Sequence, residues 1–423
     1  MNDRHAALAR LVQELFTPAS STAAPHVGVE VELFPIRFVR EEAKAVTIAE
    51  LQGILATAGN ALTEGRVSFE PGGQLELSPP PAATVNALIR QVSDLLDNVR
   101  CSAVPCGVTF KAEGVNRWLT SDRIGLQKDI ERYRKMQRHF DAIGPAGREM
   151  MRRTASLQVC LDMLPGHAGH EQWLLLNLCG PALAAAFTNQ PHLPSLSDPA
   201  VESRSRIWQA VDASRTGFDG AQIGDLDGRD WVSAYRDFSL RAEVIPLDEG
   251  NGEASPLRAS LGEWIASDRH RPTVADLTHH LTTLFPPVRP RGRYLEVRYL
   301  DALPLPWLAV PLCLLTTLSY IPKARQAALE ALAADTRPPR EQWRSSARFG
   351  LQDSCVHTAA EALFIIALSH LAELPDGYLP LEAASLIDEY HDRFLRRGLT
   401  PADGDSSISA WRMPREDKLC VLL

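Results

Sequence analysis

Lysine is nearly absent from this chain, standing only at Lys44, Lys111, Lys128, Lys135, Lys323 and Lys418. Arginine and alanine are abundant instead, which reads most simply as the mark of a GC-rich genome. Arginine abundance is therefore no evidence of phosphate sites, and only an arginine beside acidic strands counts. The net charge of -8 lacks the basic footprint that nonspecific nucleic-acid binding needs. No Cys-x-x-Cys pair occurs among Cys101, Cys106, Cys160, Cys179, Cys313, Cys355 and Cys420, an odd total that suits a reducing cytosol better than a disulfide framework. The N-terminal residues lack the basic-then-apolar plan of a signal peptide, which predicts a cytoplasmic protein. The uncharged run 303–321 carries Pro304, Pro306 and Pro311 and is expected to be a buried helix rather than a membrane span. Neither a Gly-x-x-x-x-Gly-Lys-Ser/Thr loop nor a strand-linked Gly-x-Gly-x-x-Gly is present, so a P-loop enzyme and a dinucleotide-binding domain are unsupported. No Ser-His-Asp set emerges from the spacings. His167 and His170, in a Pro/Gly-containing loop, and His279-His280, in a helix, are expected to be surface or packing residues.

What the chain has is four segments that read as β-strands with one apolar face and one face rich in carboxylates. The first is His26-Val27-Gly28-Val29-Glu30-Val31-Glu32-Leu33-Phe34. The second is Val67-Ser68-Phe69-Glu70, which runs through Pro71-Gly72-Gly73 into Gln74-Leu75-Glu76-Leu77-Ser78. The others are Ser156-Leu157-Gln158-Val159-Cys160-Leu161-Asp162 and Arg293-Tyr294-Leu295-Glu296-Val297-Arg298-Tyr299. Side chains alternate across a strand, so Glu30 and Glu32 share one face while Val29, Val31 and Leu33 take the other. The same count pairs Glu70 with Ser68, Glu76 with Gln74, Gln158 with Ser156, and Glu296 with Arg298. Carboxylates two residues apart on a strand repel by about 2 kcal/mol at an effective dielectric near 20. Glu30, Glu32, Glu70, Glu76 and Glu296 on one surface must therefore take up protons or bind cations. Oxygen ligands in this number, without a His or Cys cluster, favour Mg2+ or Mn2+ over Zn2+. The competing reading is a solvated outer sheet face, which would mix in Lys and Thr where these positions hold Glu, Gln, Ser and Arg.

Composition, 45% hydrophobic and 23% charged, is that of an ordinary globular protein. The apolar spacing of Leu8, Leu11, Val12, Leu15 and Phe16 predicts an amphipathic N-terminal helix. Further helices are expected over 48–58, 82–99, 129–140 and 171–189, the last broken near Gly180-Pro181, with loops at 191–199 and 248–256. Beyond Asp301 the pattern is helical almost to the end. Because the acidic segments are scattered from residue 30 to 296, one sheet must assemble them. The expectation is a single α+β catalytic domain over 1–423, with a sheet-based core at 25–305 and a mainly helical part at 306–423.

On one strand face, Glu296 can hold a cation and Arg298 a phosphoryl oxygen, the arrangement a metal-bound phosphate needs; an intra-sheet salt bridge is the simpler alternative. The paired glycines of Glu70-Pro71-Gly72-Gly73-Gln74 permit a tight turn and close backbone approach to a ligand. Cys160, on the polar face with no base beside it, reads as a pocket wall.

Taken together these segments resemble the plant-type glutamate-cysteine ligase family. The resemblance rests on Gly28-Val29-Glu30-Val31-Glu32, on Ser68 through Ser78, on Arg153-Thr154-Ala155-Ser156-Leu157-Gln158-Val159-Cys160-Leu161-Asp162 and on Arg293 through Arg298. Arg132-Tyr133 with Met136, Phe187-Thr188-Asn189-Gln190-Pro191, Arg204-Ser205-Arg206-Ile207-Trp208 and Asp212 with Arg215-Thr216-Gly217 extend it. The resemblance implies an antiparallel, curved sheet lining an active-site funnel, related to the glutamine synthetase catalytic domain. It implies ATP-dependent joining of L-glutamate to L-cysteine through γ-glutamyl phosphate, with Mg2+ or Mn2+ held by Glu30, Glu32, Glu70, Glu76, Gln158 and Glu296. Arg298 and Glu296 are the implied catalytic residues, and Arg132, Arg204 and Ser156 the implied substrate-binding ones. The short, Arg- and Ala-rich form looks most like the actinobacterial branch, which feeds ergothioneine synthesis. Cys160 stands where relatives often carry Asn. The alternatives are a glutamate ligase with another amine acceptor, a non-catalytic amino-acid- or nucleotide-binding paralogue, and a metal-dependent phosphohydrolase. Neither a nucleic-acid nor a membrane partner is expected, and the sequence gives no oligomeric state.

Overall fold

In the computed structural model, residues 3–18, 25–56, 66–190, 203–224, 230–245, 259–267 and 271–403 are described. The expected loops at 191–199 and 248–256 lie outside them. Eight strands form one antiparallel sheet: β1 (Val27–Val39), β2 (Glu42–Ala45), β3 (Val67–Phe69), β4 (Leu75–Leu77), β5 (Val108–Lys111), β6 (Ser156–Asp162), β7 (Val288–Pro290) and β8 (Tyr294–Asp301). The main order is β3-β4-β1-β6-β8-β7, and β2 and β5 pair with the far end of β1. Sheet and helices are mixed along the chain without a regular βαβ repeat, so the α+β class holds.

Alternation puts Val27, Val29, Val31 and Leu33 on the buried side of β1, none more than 3% exposed. The helices Val85–Ala103 and Leu305–Tyr320 cover that side. Thr84 caps the first, its Oγ1 accepting from Ala87 N at 3.0 Å, a contact worth about 1 kcal/mol. The second, despite Pro311, is buried along nearly its whole length. It is the buried helix expected over 303–321. Among the described residues one helical stretch, Ser354–Glu373, is long and apolar enough to span a membrane by length and composition.

Several expected elements differ in detail. His167 and His170 lie in the helix Gly166–Leu178, not in a loop. Pro165 and Gly166 mark its start, and Gly169 is tolerated inside it because its Cα lies so close to the Leu164 carbonyl that a Cβ would meet that oxygen at 2.1 Å. The apolar helix breaks at Cys179, resuming as Gly180–Ala186. Strands β2, β5 and β7 lie outside the expected strand segments. The β1–β2 hairpin pairs Val39 with Glu42 across Arg40 and Glu41, both at positive φ. Such a two-residue turn usually announces itself as Asn-Gly, and here it does not.

Candidate active site

The register builds one polar face across the sheet. Ser68 stands opposite Glu76, Glu76 opposite Glu32, Glu30 opposite Gln158, Cys160 opposite Glu296, and Glu296 opposite Arg289. Directly opposed residues point to the same face. The sheet therefore brings Glu30, Glu32, Glu76, Gln158, Glu296 and Arg298 together from segments up to 268 residues apart in number. Glu70 joins them from the turn after β3.

A bulge tunes this face. Val297 pairs with Val159 but Leu300 pairs with Leu157, so Arg298 and Tyr299 together oppose Gln158. The extra residue shifts the alternation, and Asp301 opposite Ser156 returns to the polar side three residues after Arg298. Bulges of this kind re-aim side chains near functional sites.

The carboxylates are individually supported. Glu32 accepts from Ser156 N at 2.7 Å and Gln158 Nε2 at 3.0 Å. Glu76 accepts from the hydroxyls of Ser68 at 2.8 Å and Ser78 at 3.0 Å. The turn carrying Glu70 is pinned by Gln74, whose Oε1 accepts from Gly72 N at 3.0 Å and whose Nε2 donates to Thr154 O at 2.8 Å. Gln74 thus braces the turn instead of joining the acidic set. Gly72 is needed because a Cβ there would come within 2.5 Å of Arg152 Cα. Beside Glu70, Lys128 donates to Phe69 O at 2.7 Å, and its charge favours the Glu70 carboxylate.

Protonation divides the face. Burial, and then the charges of Glu296 and Glu76, push Glu30 up to about 8. Burial and Glu76 raise Glu32, and burial with Glu32 and Glu76 raises Glu70 well above the carboxylate range. Glu296 behaves oppositely. Burial would raise it, but Arg289, Arg298 and Arg291 bring it down to about 2. Arg289 lies 2.9 Å and Arg291 3.5 Å from its oxygens, and Arg298 pairs with it at closer range. Arg298 Nη1 also donates to Gln158 Oε1 at 2.6 Å.

An all-oxygen donor set in which neighbours raise one another's affinity for a proton also suits a hard divalent cation. As they stand, no three His, Cys, Asp or Glu side chains among the described residues form a ligating group. The carboxylates would have to turn toward a cation to share it.

The implied substrate residues fall in different settings. Arg204 is buried, donates to Arg298 O at 2.6 Å, stands 4.0 Å from Asp301 and lies against the Trp208 ring. Its Nε has no hydrogen-bond partner among the described residues. Ser156 serves Glu32 through its backbone and side chain. Arg132 is exposed and donates to Thr282 O at 3.3 Å. A pocket beside Arg298 is lined by Arg204, Trp208, Phe285, Tyr299 and Trp343. Cys160 is not among that pocket's lining residues; it lies on the sheet face opposite Glu296, its thiol pushed well up by burial and by Glu296 and Glu30. None of the six cysteines among the described residues is in a disulfide.

Arg289, Arg291 and Lys128 belong to this face but escape recognition in the sequence. The signal for the first two is their spacing of two residues just ahead of the Glu296 strand. For Lys128 it is the rarity of lysine.

A family model described as Glutamate-cysteine ligase family 2 matches residues 26–412. The chain is 33% identical over 366 residues to "Glutamate--cysteine ligase EgtA" of Mycolicibacterium smegmatis, with 84% of each chain covered. It is 28% identical over 348 residues to "Glutamate--cysteine ligase, chloroplastic" of Arabidopsis thaliana, covering 80% of this chain and 64% of the other. Among solved structures, a glutamate–cysteine ligase from Francisella tularensis in complex with AMP aligns at a TM-score of 0.41 and 14% identity, over 90% of this chain and 84% of that one.

Proposed function

The chain belongs to glutamate-cysteine ligase family 2, and from that premise we propose that it is an ATP-dependent enzyme joining the γ-carboxylate of glutamate to the amine of cysteine. The observation that carries this reading is the division of one sheet face into a carboxylate-rich end and an arginine-rich end, with Arg298 between them. A carboxylate is a poor electrophile. It is first phosphorylated by ATP, and the acyl phosphate is then attacked by the amine, which expels phosphate.

Arg298, held by Glu296 and Gln158, is positioned to stabilise charge on the transferring phosphoryl group. Arg204 and Arg132 are proposed to take the amino-acid carboxylates, with Ser156 lining their pocket. The aromatic wall of Trp208 and Phe285 beside Arg298 offers contact for a short thiol side chain. Glu30, Glu32, Glu70, Glu76, Gln158 and Glu296 would hold Mg2+ or Mn2+. A bound cation would shield the polyphosphate and draw charge off the phosphoryl group.

We further propose that the enzyme works in the cytoplasm, a reading its odd cysteine total supports, and that its product feeds ergothioneine synthesis, a reading supported by the similarity to EgtA. The deciding experiment incubates the protein with ATP, glutamate and cysteine, with and without Mg2+, and identifies the product by mass. γ-Glutamylcysteine with matching ADP is the expected outcome. ADP release without stimulation by cysteine would sink the reading and favour another amine acceptor.

A further inference from the structure

Buried arginines in this chain come with a carboxylate, with one exception. Arg153 stands 2.5 Å from Glu149, Arg215 2.7 Å from Asp212, Arg325 3.0 Å from Glu171 and Arg204 4.0 Å from Asp301. Arg152 is 7% exposed, yet no carboxylate oxygen comes within 4.0 Å of it among the described residues. Its Nη1 donates to Ser121 O at 3.0 Å and its Nη2 to Gln137 Oε1 at 2.6 Å, both neutral acceptors, and its Nε has no partner there. Glu149 is already taken by Arg153 and by the Ser121 hydroxyl. Asp122, Asp141 and Glu149 favour the Arg152 charge from longer range, and Arg148 opposes it. A buried cation without a counter-charge is costly, and folded chains pair such groups.

The missing charge has a place to sit. Arg152 lines a cavity with Asn116, Gly72, Gln74, Leu119 and Gln127, and no carboxylate is among the lining residues. Asn116 is buried, and its Oδ1 accepts from Trp118 N and Leu119 N, each at 3.0 Å. Those bonds commit the oxygen and leave the amide nitrogen without a partner among the described residues. The other two amides are engaged, Gln74 Nε2 with Thr154 O and Gln127 Nε2 with Gly72 O. All the lining residues but Ala45 and Gln127 are buried, so an occupant must be small.

We propose that this cavity is a site for a small monovalent anion, chloride being the simplest, held between the Arg152 guanidinium and the Asn116 amide. A water molecule would satisfy a donor there but would leave the charge open. The site also touches the turn that carries Glu70. Gln127 N donates to Pro71 O at 2.8 Å and Gln127 Nε2 to Gly72 O at 3.1 Å, while Gln74 Oε1 accepts from Gly72 N. An anion that fixes this lining steadies Glu70, and through it the carboxylate-rich end of the active face. Only that last step rests on the ligase reading and on the metal role of Glu70.

The test compares the full chain in sodium chloride and in sodium gluconate at equal ionic strength. Wild type should broaden the chloride NMR line saturably, and its melting temperature should rise with chloride as a ligand-linked stability does. Arg152→Gln should lose both responses and melt alike in the two salts. Asn116→Asp keeps the oxygen that Trp118 N and Leu119 N need and brings a fixed negative charge to Arg152. It should melt higher than wild type in gluconate and no longer respond to chloride. In the ligase assay, wild type should need about fivefold more Mg2+ for half-maximal ADP release in gluconate than in chloride, the lower end of ordinary coupling between sites. No saturable broadening and equal melting of wild type in the two salts would mean that the cavity holds only water, and would overturn the site. Broadening that survives in Arg152→Gln would place the anion elsewhere and overturn it equally. An unchanged Mg2+ requirement would overturn the link to Glu70. If chloride binding were lost in Arg152→Gln while wild type made no γ-glutamylcysteine, the ligase reading would fail and the anion site would stand.

Discussion

Arg298 Nη1 donates to Gln158 Oε1 at 2.6 Å across 140 residues of sequence and pairs with Glu296 through the same nitrogen. The bulge in β8 makes this possible by setting Arg298 and Tyr299 together against Gln158. A lysine has one point charge and cannot reproduce a planar fork held by two partners. Arg298→Lys is therefore expected to lower kcat by about 100-fold, the usual loss when a donor to developing charge is removed. Thermal melting should change little, since charge and most of the stem are kept. Steady-state kinetics and a melting curve check both halves, and near-normal kcat would remove Arg298 from the phosphoryl group.

Much of this site is legible in the sequence because strand alternation is a local rule. Ser156–Asp162 is the expected strand from end to end, and Glu30, Glu32, Glu76, Gln158 and Glu296 share the face that counting by two assigns them. What could not be read is pairing. Nothing local says that Arg289 will lie opposite Glu296, or that a bulge will bring Asp301 back to the polar side. Gln74 shows the limit of alternation most plainly. By count it shares a face with Glu76, but it lies at a turn, where the backbone carbonyl of Thr154 and the amide of Gly72 claim it. His167 and His170 stand in a helix and not the expected loop for a related reason: Pro165 and Gly166 read as a loop, yet they stand at the start of a helix.

Glu30 should make activity and stability move in opposite directions. Its carboxyl is pushed up to about 8 from 4.5, so between those values the folded chain holds a proton that the unfolded chain has released. Stability of the cation-free protein then falls as pH rises through that window. Glu30→Gln removes this dependence and is expected to raise cation-free stability at pH 8 while abolishing turnover. Urea denaturation at pH 5 and pH 8, with EDTA present, measures the first effect and the ligase assay the second. Full activity at limiting Mg2+ would contradict the metal role.

Gly72→Ala should damage the turn that carries Glu70. The new methyl would lie 2.5 Å from Arg152 Cα and 2.6 Å from Arg152 O, atoms of the main chain that cannot swing aside. Overpacking of this sort costs about 1–3 kcal/mol. Relief requires the turn to move, which would pull Glu70 from Glu76. The expected result is a lower melting temperature together with a raised Mg2+ requirement, read from denaturation and from activity against Mg2+ concentration.

Asp212 ties the elements that carry Arg132 and Arg204 together, far from the carboxylates. Its oxygens accept from Arg215 Nε at 2.7 Å, from Ser214 N at 2.9 Å and stand 2.9 Å from His139 Nε2, while Arg215 also donates to Thr283 O at 3.0 Å and to Glu243 O. Through these contacts the helix Glu131–Asp141, which bears Arg132, is joined to the helix Arg204–Val211, which bears Arg204. Burial would raise the Asp212 carboxyl, but the His139 contact and Arg215 hold it well below the ordinary 3.8. A depressed folded value means that the stabilisation is fully present above the unfolded pKa and is lost as pH falls through the folded one. Wild type should therefore keep this contribution at neutral pH and begin to lose it only below about pH 4. Asp212→Asn leaves Arg215, fully buried, without its counter-charge, and breaking such a pair costs about 3–5 kcal/mol. The variant should be destabilised by that order at pH 7 and show a shallower fall in stability below pH 4. Equal pH slopes for variant and wild type in denaturant titrations between pH 3 and pH 7 would show that Asp212 is not the group whose charge holds the two helices together.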